Sequence, residues 1–392
     1  MLSPYQRVQT ALQHHEPDRV PVDFLATPEV WNKLIAELKP DAAQIGAREF
    51  VEGEREAIMR QFEIDVRLLS YDMFCAPPAE IMKEGAFVDW WISLARSTPN
   101  RMWVQYVPDG TWYDIWGVHY RKVEHEFGSY QEFASFPLAE ATSIAELAAH
   151  PWPTSDWWDF STIPHVIDTL DPRHEFYWRF RIGSVFEIAW ALRGMQEFLI
   201  DLASQPEFPK YIMERLSTVY VENTRRVLEI AGDHIDMVYF YDDVATQNSL
   251  MISKTMWREF VRPHHAKLVD LAHRFGKKVM YHCDGAVYPL IPDLIELGID
   301  LLNPIQPDAK GMDSTRLKNE FGAQLCFHGG VDIIKTLPRG TKEEVIAEVR
   351  ERVNILGQGG GYILCSSHHI QPDTPLENVL TMYDPKLRYR SE

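Results

Sequence analysis

The chain is poor in cysteine, in basic residues and in long apolar runs, and each shortage excludes something. Four cysteines, Cys75, Cys283, Cys326 and Cys365, are scattered through 392 residues without a CxxC pair. No disulfide framework is expected from them, and buried free thiols in a reducing compartment account for them. Lys and Arg number 39 against 57 Asp and Glu, a formal charge of -18. Such a surface repels phosphate backbones and anionic bilayers, so nucleic acid is not an expected partner. No apolar run is long enough to span a bilayer, and "MLSPYQRVQTALQHHEPDRVPV" has no basic stretch followed by an apolar one. A cytoplasmic protein without a membrane segment is therefore expected.

What remains is 45% hydrophobic and 24% charged, enough apolar material for one large core. Eight β-rich runs alternate with helical periodicity, the pattern of parallel strands joined by crossover helices. They lie at 19–24, 66–72, 176–184, 237–243, 278–285, 301–306, 325–332 and 362–368. The fold class expected is α/β, a single (β/α)8 barrel over 1–392. The segment 253–276 opens on Ser253 and ends at Gly276, with Pro263 expected to kink or split the helix. The run "GQGGGY" precedes a strand, so it reads as a tight helix-to-strand turn and not as a phosphate loop.

The rhythm breaks between the second and third runs. Residues 85–160 form an aromatic-rich insertion in which "PDG" at 108–110 marks a hairpin. Following a strand, the insertion is expected on the C-terminal face. Its tryptophans, among them Trp90, Trp91, Trp103, Trp112, Trp116, Trp157 and Trp158, either pack it down or shape a mouth.

In a parallel barrel the C-terminal strand ends converge, so polar residues closing apolar strands are candidates for chemistry. Asp23, Asp72, Glu187, Asp242, Asp243, His282, Asp284, Gln306, His328, His368 and His369 all fall there. In "MYHCDG" (280–285) alternation puts Met280, His282 and Asp284 on one face, and Val279, Tyr281 and Cys283 on the other. His282 and Asp284, with His368 as third donor, suit zinc or another divalent ion; Cys283 is an alternative if Gly285 turns the backbone early. Two readings without metal stay open: an acid/base pair of His282 with Asp284 or Asp243, and purely structural roles.

Taken together, "EPDRVPV", "YFYDDVATQNSLMIS", "YHCDG", "LLNPIQPDAKGMD", "FHGGVD", "LPRGTKEEV" and "GGYILCSSHHIQPDTPLENVLTMY" resemble the uroporphyrinogen decarboxylase superfamily nearly end to end. The resemblance implies a single distorted barrel with its site in the C-terminal mouth, and suggests a homodimer. True uroporphyrinogen decarboxylases carry an arginine-rich "MRQAGR" after the first strand; here the segment reads "DFLATPEVW", which argues against porphyrinogen as substrate. The cobalamin-dependent methyltransferases of the superfamily bind zinc through a His-x-Cys pair and a distant Cys, positions that map onto His282, Asp284 and His368. The resemblance thus implies a metal-dependent methyltransferase or demethylase of a small methylated compound. Its methylcobalamin would be carried by a separate corrinoid protein. Asp243, Glu187 and Asp242 would be the catalytic acids and bases, and Asp23, Asp72, Tyr281, Gln306 and His328 would contact the substrate. A decarboxylase or other lyase of a small carboxylate is the competing expectation.

Overall fold

The computed structural model describes residues 1–43, 45, 53–78, 86–88, 102–126 and 128–390. Seven parallel strands form one sheet in sequential order: β1 (Val66–Ser70), β7 (Tyr177–Arg181), β8 (Met237–Tyr241), β9 (Lys278–His282), β10 (Leu301–Ile305), β11 (Cys326–Val331) and β12 (Tyr362–Ser366). The sheet curls through 226°. Between β1 and β7 the chain builds a second, antiparallel sheet of five strands, β2 (Ala86–Val88), β3 (Met102–Tyr106), β4 (Trp112–Tyr113), β5 (His119–His125) and β6 (Gly128–Ser135). Residues 108–110 turn the chain from β3 into β4, where the backbone N–H of Val107 donates to Thr111 and Gly110 takes a φ of 86°. Trp90 and Trp91 lie outside the described residues, as does the side chain of Trp103.

The run at 19–24 is not a ladder strand but an isolated bridge, Val22 to Leu364. Pro21 has no N–H to give, which breaks the donor pattern a ladder requires. Even so the segment lies between the two edges of the curl. Asp23 N–H donates to Leu364 O at 2.9 Å, and Asp65 N–H, just before β1, donates to Val22 O at 2.9 Å. The buried Asp65 carboxylate holds this seam, accepting from Arg7 (2.6 Å), Arg19 (2.8 Å) and the Val22 N–H (2.8 Å).

The concave face is layered. Val66, Tyr177, Met237, Met280, Leu301, Cys326 and Ile363, near the start of each strand, cluster with Val8 and Leu12 of the helix Pro4–Leu12. Residues from the first and last strands can meet in one cluster only inside the curl. Two residues further on, the same face turns polar on the five inner strands, with Arg179, Tyr239, His282, Asn303 and His328, while Leu68 and Cys365 hold the equivalent places on the edge strands. The apolar layer thus closes the N-terminal end and leaves the polar layer facing the C-terminal end. Tyr281 and Cys283 point the other way, into the core under the helices.

Two sequence signals have local physical causes. Ahead of Pro263 the helix switches to a π-turn over Trp257–Val261 before resuming at Arg262–Arg274, which absorbs the missing N–H without ending the helix. In the Gly-rich run Gly360 has a φ of 81°, and a Cβ there would lie 2.3 Å from His15 O. This turn sits at the N-terminal end of β12, against the first helix.

Candidate metal centre and adjoining cavity

Strand β9 delivers His282 to the polar layer, and the turn after it delivers Asp284 to the same side. Gly285 makes that turn: its φ is 84°, and a Cβ would meet Thr246 O at 2.5 Å. Its N–H donates to Gln306 Oε1 at 2.8 Å, so Gln306 props the turn. His368 arrives from the segment after β12. The ligating atoms of His282, Asp284 and His368 lie within 4.8 Å of one another. His282 Nε2 is 3.9 Å from Asp284 Oδ1, and His368 Nε2 is 3.6 Å from Asp284 Oδ2, too long for hydrogen bonds. Asp284 Oδ1 is enclosed and has no hydrogen-bond partner. A buried carboxylate oxygen left without a donor, facing two imidazoles, is the arrangement a divalent cation completes.

A hydrogen-bonded chain sets the tautomer of His282. Arg179 pairs with Asp23 at 2.7 Å, and His328 Nε2 lies 2.9 Å from the same Asp23 oxygen. Burial works against the charge of Asp23, but Arg179 and then His328 outweigh it and hold its carboxyl below the ordinary range. An ionised Asp23 only accepts, so His328 Nε2 must donate. Burial lowers the pKa of His328, keeping the ring neutral, so its Nδ1 accepts from Asn303 Nδ2 at 2.7 Å. The Asn303 oxygen then faces His282 Nδ1 at 2.6 Å and accepts a hydrogen bond from its N–H. In the neutral ring Nε2 is therefore the unprotonated nitrogen, and it faces the Asp284 and His368 cluster.

Around this set stands a ladder of acids. Asp284 N–H donates to Asp243 Oδ1 (2.7 Å), and Asp243 N–H donates to Glu187 Oε1 (2.8 Å). Burial raises the Asp243 carboxyl to about 6, opposed by His282 and reinforced by Asp284. Burial, then the charges of Asp243 and Asp242, raise Glu187 well above the usual range. Burial keeps His368 below the ordinary imidazole value despite Asp284.

Glu187 also lines a cavity of about 180 Å³ between the polar layer and the antiparallel sheet. Tyr71, Trp116, Tyr120, Phe133, Trp190 and Tyr241 supply its aromatic walls, and Asp72, Asp114 and Arg181 its charge. Arg181 pairs with Asp72 at 2.6 Å. Burial lifts Asp114 to about 7 in spite of hydrogen bonds from Val118, Trp116 and Tyr120.

The residues singled out from sequence divide clearly. His282, Asp284, His368, Asp243 and Glu187 meet. Asp23 and His328 belong to the buried chain behind His282, and Asp72 is paired in the cavity wall. Asp242 and Tyr281 lie elsewhere. Asp242 is fully buried, accepts from the backbone of Val185, Phe186 and Glu187, from Ser184, and faces His265 at 2.5 Å. Tyr281 donates its hydroxyl to Asp242 O on the convex side. Cys283 is likewise buried on that side, its thiol against Asp284 O. Sequence reasoning passed over Arg179, Arg181 and Asn303. Two arginines spaced by two in "YWRFR", a strand with all five residues buried, were the available signal.

An α/β fold with a curled parallel sheet and an imidazole–carboxylate cluster at its C-terminal end defines the class. The chain belongs to the uroporphyrinogen decarboxylase (URO-D) family, whose model matches residues 181–385, just over half of it. A curated relative, the methylated-thiol–coenzyme M methyltransferase of Methanosarcina mazei, is 25% identical over 197 residues. That match takes in 50% of this chain and 48% of the relative, so the chain spans about half the length of the curated relative it matches. A solved structure described as a methyltransferase from Methanosarcina mazei shares the fold, with a TM-score of 0.62 and 15% identity over 99% of this chain and 98% of that one. No helix among the described residues is long and apolar enough to cross a membrane.

Proposed function

We propose that this protein is a metal-dependent methyltransferase or demethylase acting on a small methylated compound together with a separate corrinoid protein. The curled sheet is, in this reading, a distorted eight-stranded barrel whose eighth stave is the Pro21–Asp23 seam, and the antiparallel sheet is an insertion over its mouth. One observation carries the proposal: the enclosed, unpartnered Asp284 Oδ1 between His282 and His368. These three residues would hold the ion. A divalent ion such as zinc would supply Lewis acidity there, lowering the cost of negative charge on the heteroatom of a methylated compound.

The protein's own groups do the rest. The hydrogen-bonded chain from Arg179 to His282 keeps the Nε2 lone pair aimed at the centre. Asp243, held at about 6, sits within reach to take or return the heteroatom's proton. Glu187, its carboxyl raised by burial and the neighbouring acids, bridges that acid to the cavity. The aromatic walls would seat the apolar body of the compound and exclude water.

A decarboxylase of a small carboxylate would require a cation reserved for its substrate. Arg179 of the polar layer and Arg181 of the cavity wall are already paired, with Asp23 and Asp72, so neither is reserved for a substrate carboxylate, which favours methyl transfer.

Elemental mass spectrometry of the purified protein, without added metal, is the test. The expected result is about one divalent ion per chain at this centre, lost in His282→Ala and His368→Ala, with methylcobalamin consumption lost in parallel. Metal bound equally well by wild type and both folded variants would overturn the assignment.

A further inference from the structure

A second cluster lies at the opposite end of the sheet. Asp168 sits in the last turn of the helix Ile163–Leu170, His174 in the loop before β7, and His234 in the turn before β8. Their ligating atoms lie within 4.8 Å of one another. His174 Nε2 and His234 Nδ1 are each 3.4 Å from the same oxygen, Asp168 Oδ1. Hydrogen bonds from imidazole N–H groups would be about 2.7–3.2 Å. Two donors in a tetrahedral zinc site with bonds of about 2.0–2.1 Å stand about 3.3–3.4 Å apart. The two histidine-to-aspartate spacings match the second geometry and miss the first.

One further observation points to a ligand, and another explains how the loop is shaped. His234 Nδ1 is enclosed by protein, yet makes no hydrogen bond. His174 has a φ of 50°, in the left-handed region, where a non-glycine residue costs about 1 kcal/mol or more. The loop that holds it there is rigidly pinned: Asp171 accepts from the backbone of Glu175 and Phe176, and His174 N–H donates to Asp171 O at 2.9 Å. The strained turn brings the His174 ring over that of His234, with centroids 5.1 Å apart.

We propose that Asp168, His174 and His234 form a second divalent-metal site, of the His2Asp type that suits zinc, nickel or copper, with its remaining position open to water. Its three donors come from three segments, so a bound ion staples the loop entering β7 to the turn entering β8. It is remote from the first centre and independent of the activity proposed for that centre.

Equilibrium dialysis of the full chain against micromolar Zn(II), followed by elemental mass spectrometry, tests it. Wild type is expected to retain two equivalents, and His174→Ala and Asp168→Asn one each, with methyl-transfer activity unchanged. His282→Ala is also expected to retain one, removed by adding His174→Ala. Cu(II) titration of the His282→Ala protein should show a d–d band that His174→Ala abolishes. A His174→Ala protein that binds as many equivalents as wild type overturns the site. So does zinc that wild type and His174→Ala take up alike only at millimolar concentration, which would mark an adventitious ion only. A wild type that binds a single equivalent, removed by His174→Ala and untouched by His282→Ala, would sink the proposed function and leave this site standing.

Discussion

At the residue scale the most informative group is Asn303, because it converts a charge deep in the fold into an orientation at the His282–Asp284–His368 cluster. Arg179 keeps Asp23 ionised, Asp23 fixes His328, and the Asn303 amide passes that polarity on to His282. Replacing Asn303 by Leu keeps the volume and removes both hydrogen bonds. His282 can then rotate or take the other tautomer, and metal affinity is expected to fall about 10–100-fold with the fold intact, as outer partners of metal-ligating histidines commonly show. Competition against a chromophoric chelator measures this. An unchanged affinity would mean that the chain behind His282 is packing only. His282 and Asp284 could be placed on one face from the two-residue period alone. Asn303 could not be found this way, since its partners lie on β9 and β11, and only pairing between strands brings them together.

At the scale of elements, Asp242 and Asp243 show how adjacent identical residues part company at a strand end. Asp243 turns to His282 and Asp284, whereas Asp242 accepts three backbone N–H groups that open the helix Phe186–Arg193 and meets His265 from the helix Arg262–Arg274. It therefore ties β8 to two helices, one of which carries Glu187. Asp242→Ala strands those donors in a buried site and is expected to cost about 3 kcal/mol or more of unfolding free energy. Denaturant unfolding of the variant checks the figure. Asp242→Asn, which keeps one acceptor, should lose less stability and retain the metal. A variant that stays fully stable yet loses activity would return Asp242 to the chemistry.

At the scale of the whole molecule, the cavity between the two sheets makes stability depend on pH. Asp114 belongs to the antiparallel sheet and titrates at about 7 when folded, chiefly through burial. An ordinary Asp in the unfolded chain titrates near 4. The folded state holds the proton more tightly, so the contribution is full below about pH 4, is lost as pH rises toward 7, and is flat beyond. Asp114→Asn removes this dependence. The stability of wild type relative to the variant should decline between pH 4 and 7 in urea titrations, and a flat difference would show that Asp114 is ionised in the fold.

The sequence by itself determined the alternation of strands and helices, and hence a parallel α/β sheet, because two-residue and helical periods are local properties of the chain. It determined that His282 and Asp284 share a face, and the place of His368 at the end of the last strand run made it the candidate third donor. The tertiary structure decided what no local period encodes. The run at 19–24 reads as a strand, but Pro21 denies it a ladder and leaves it as a seam held by Asp65. Asp242 and Asp243 read alike, and only the helices packed behind β8 separate a cap from an acid at the centre. The pairing of Arg179 with Asp23, across more than a hundred and fifty residues, arises because curling the sheet brings its first strands back against the seam. Burial then makes each charge depend on a partner that sequence distance conceals.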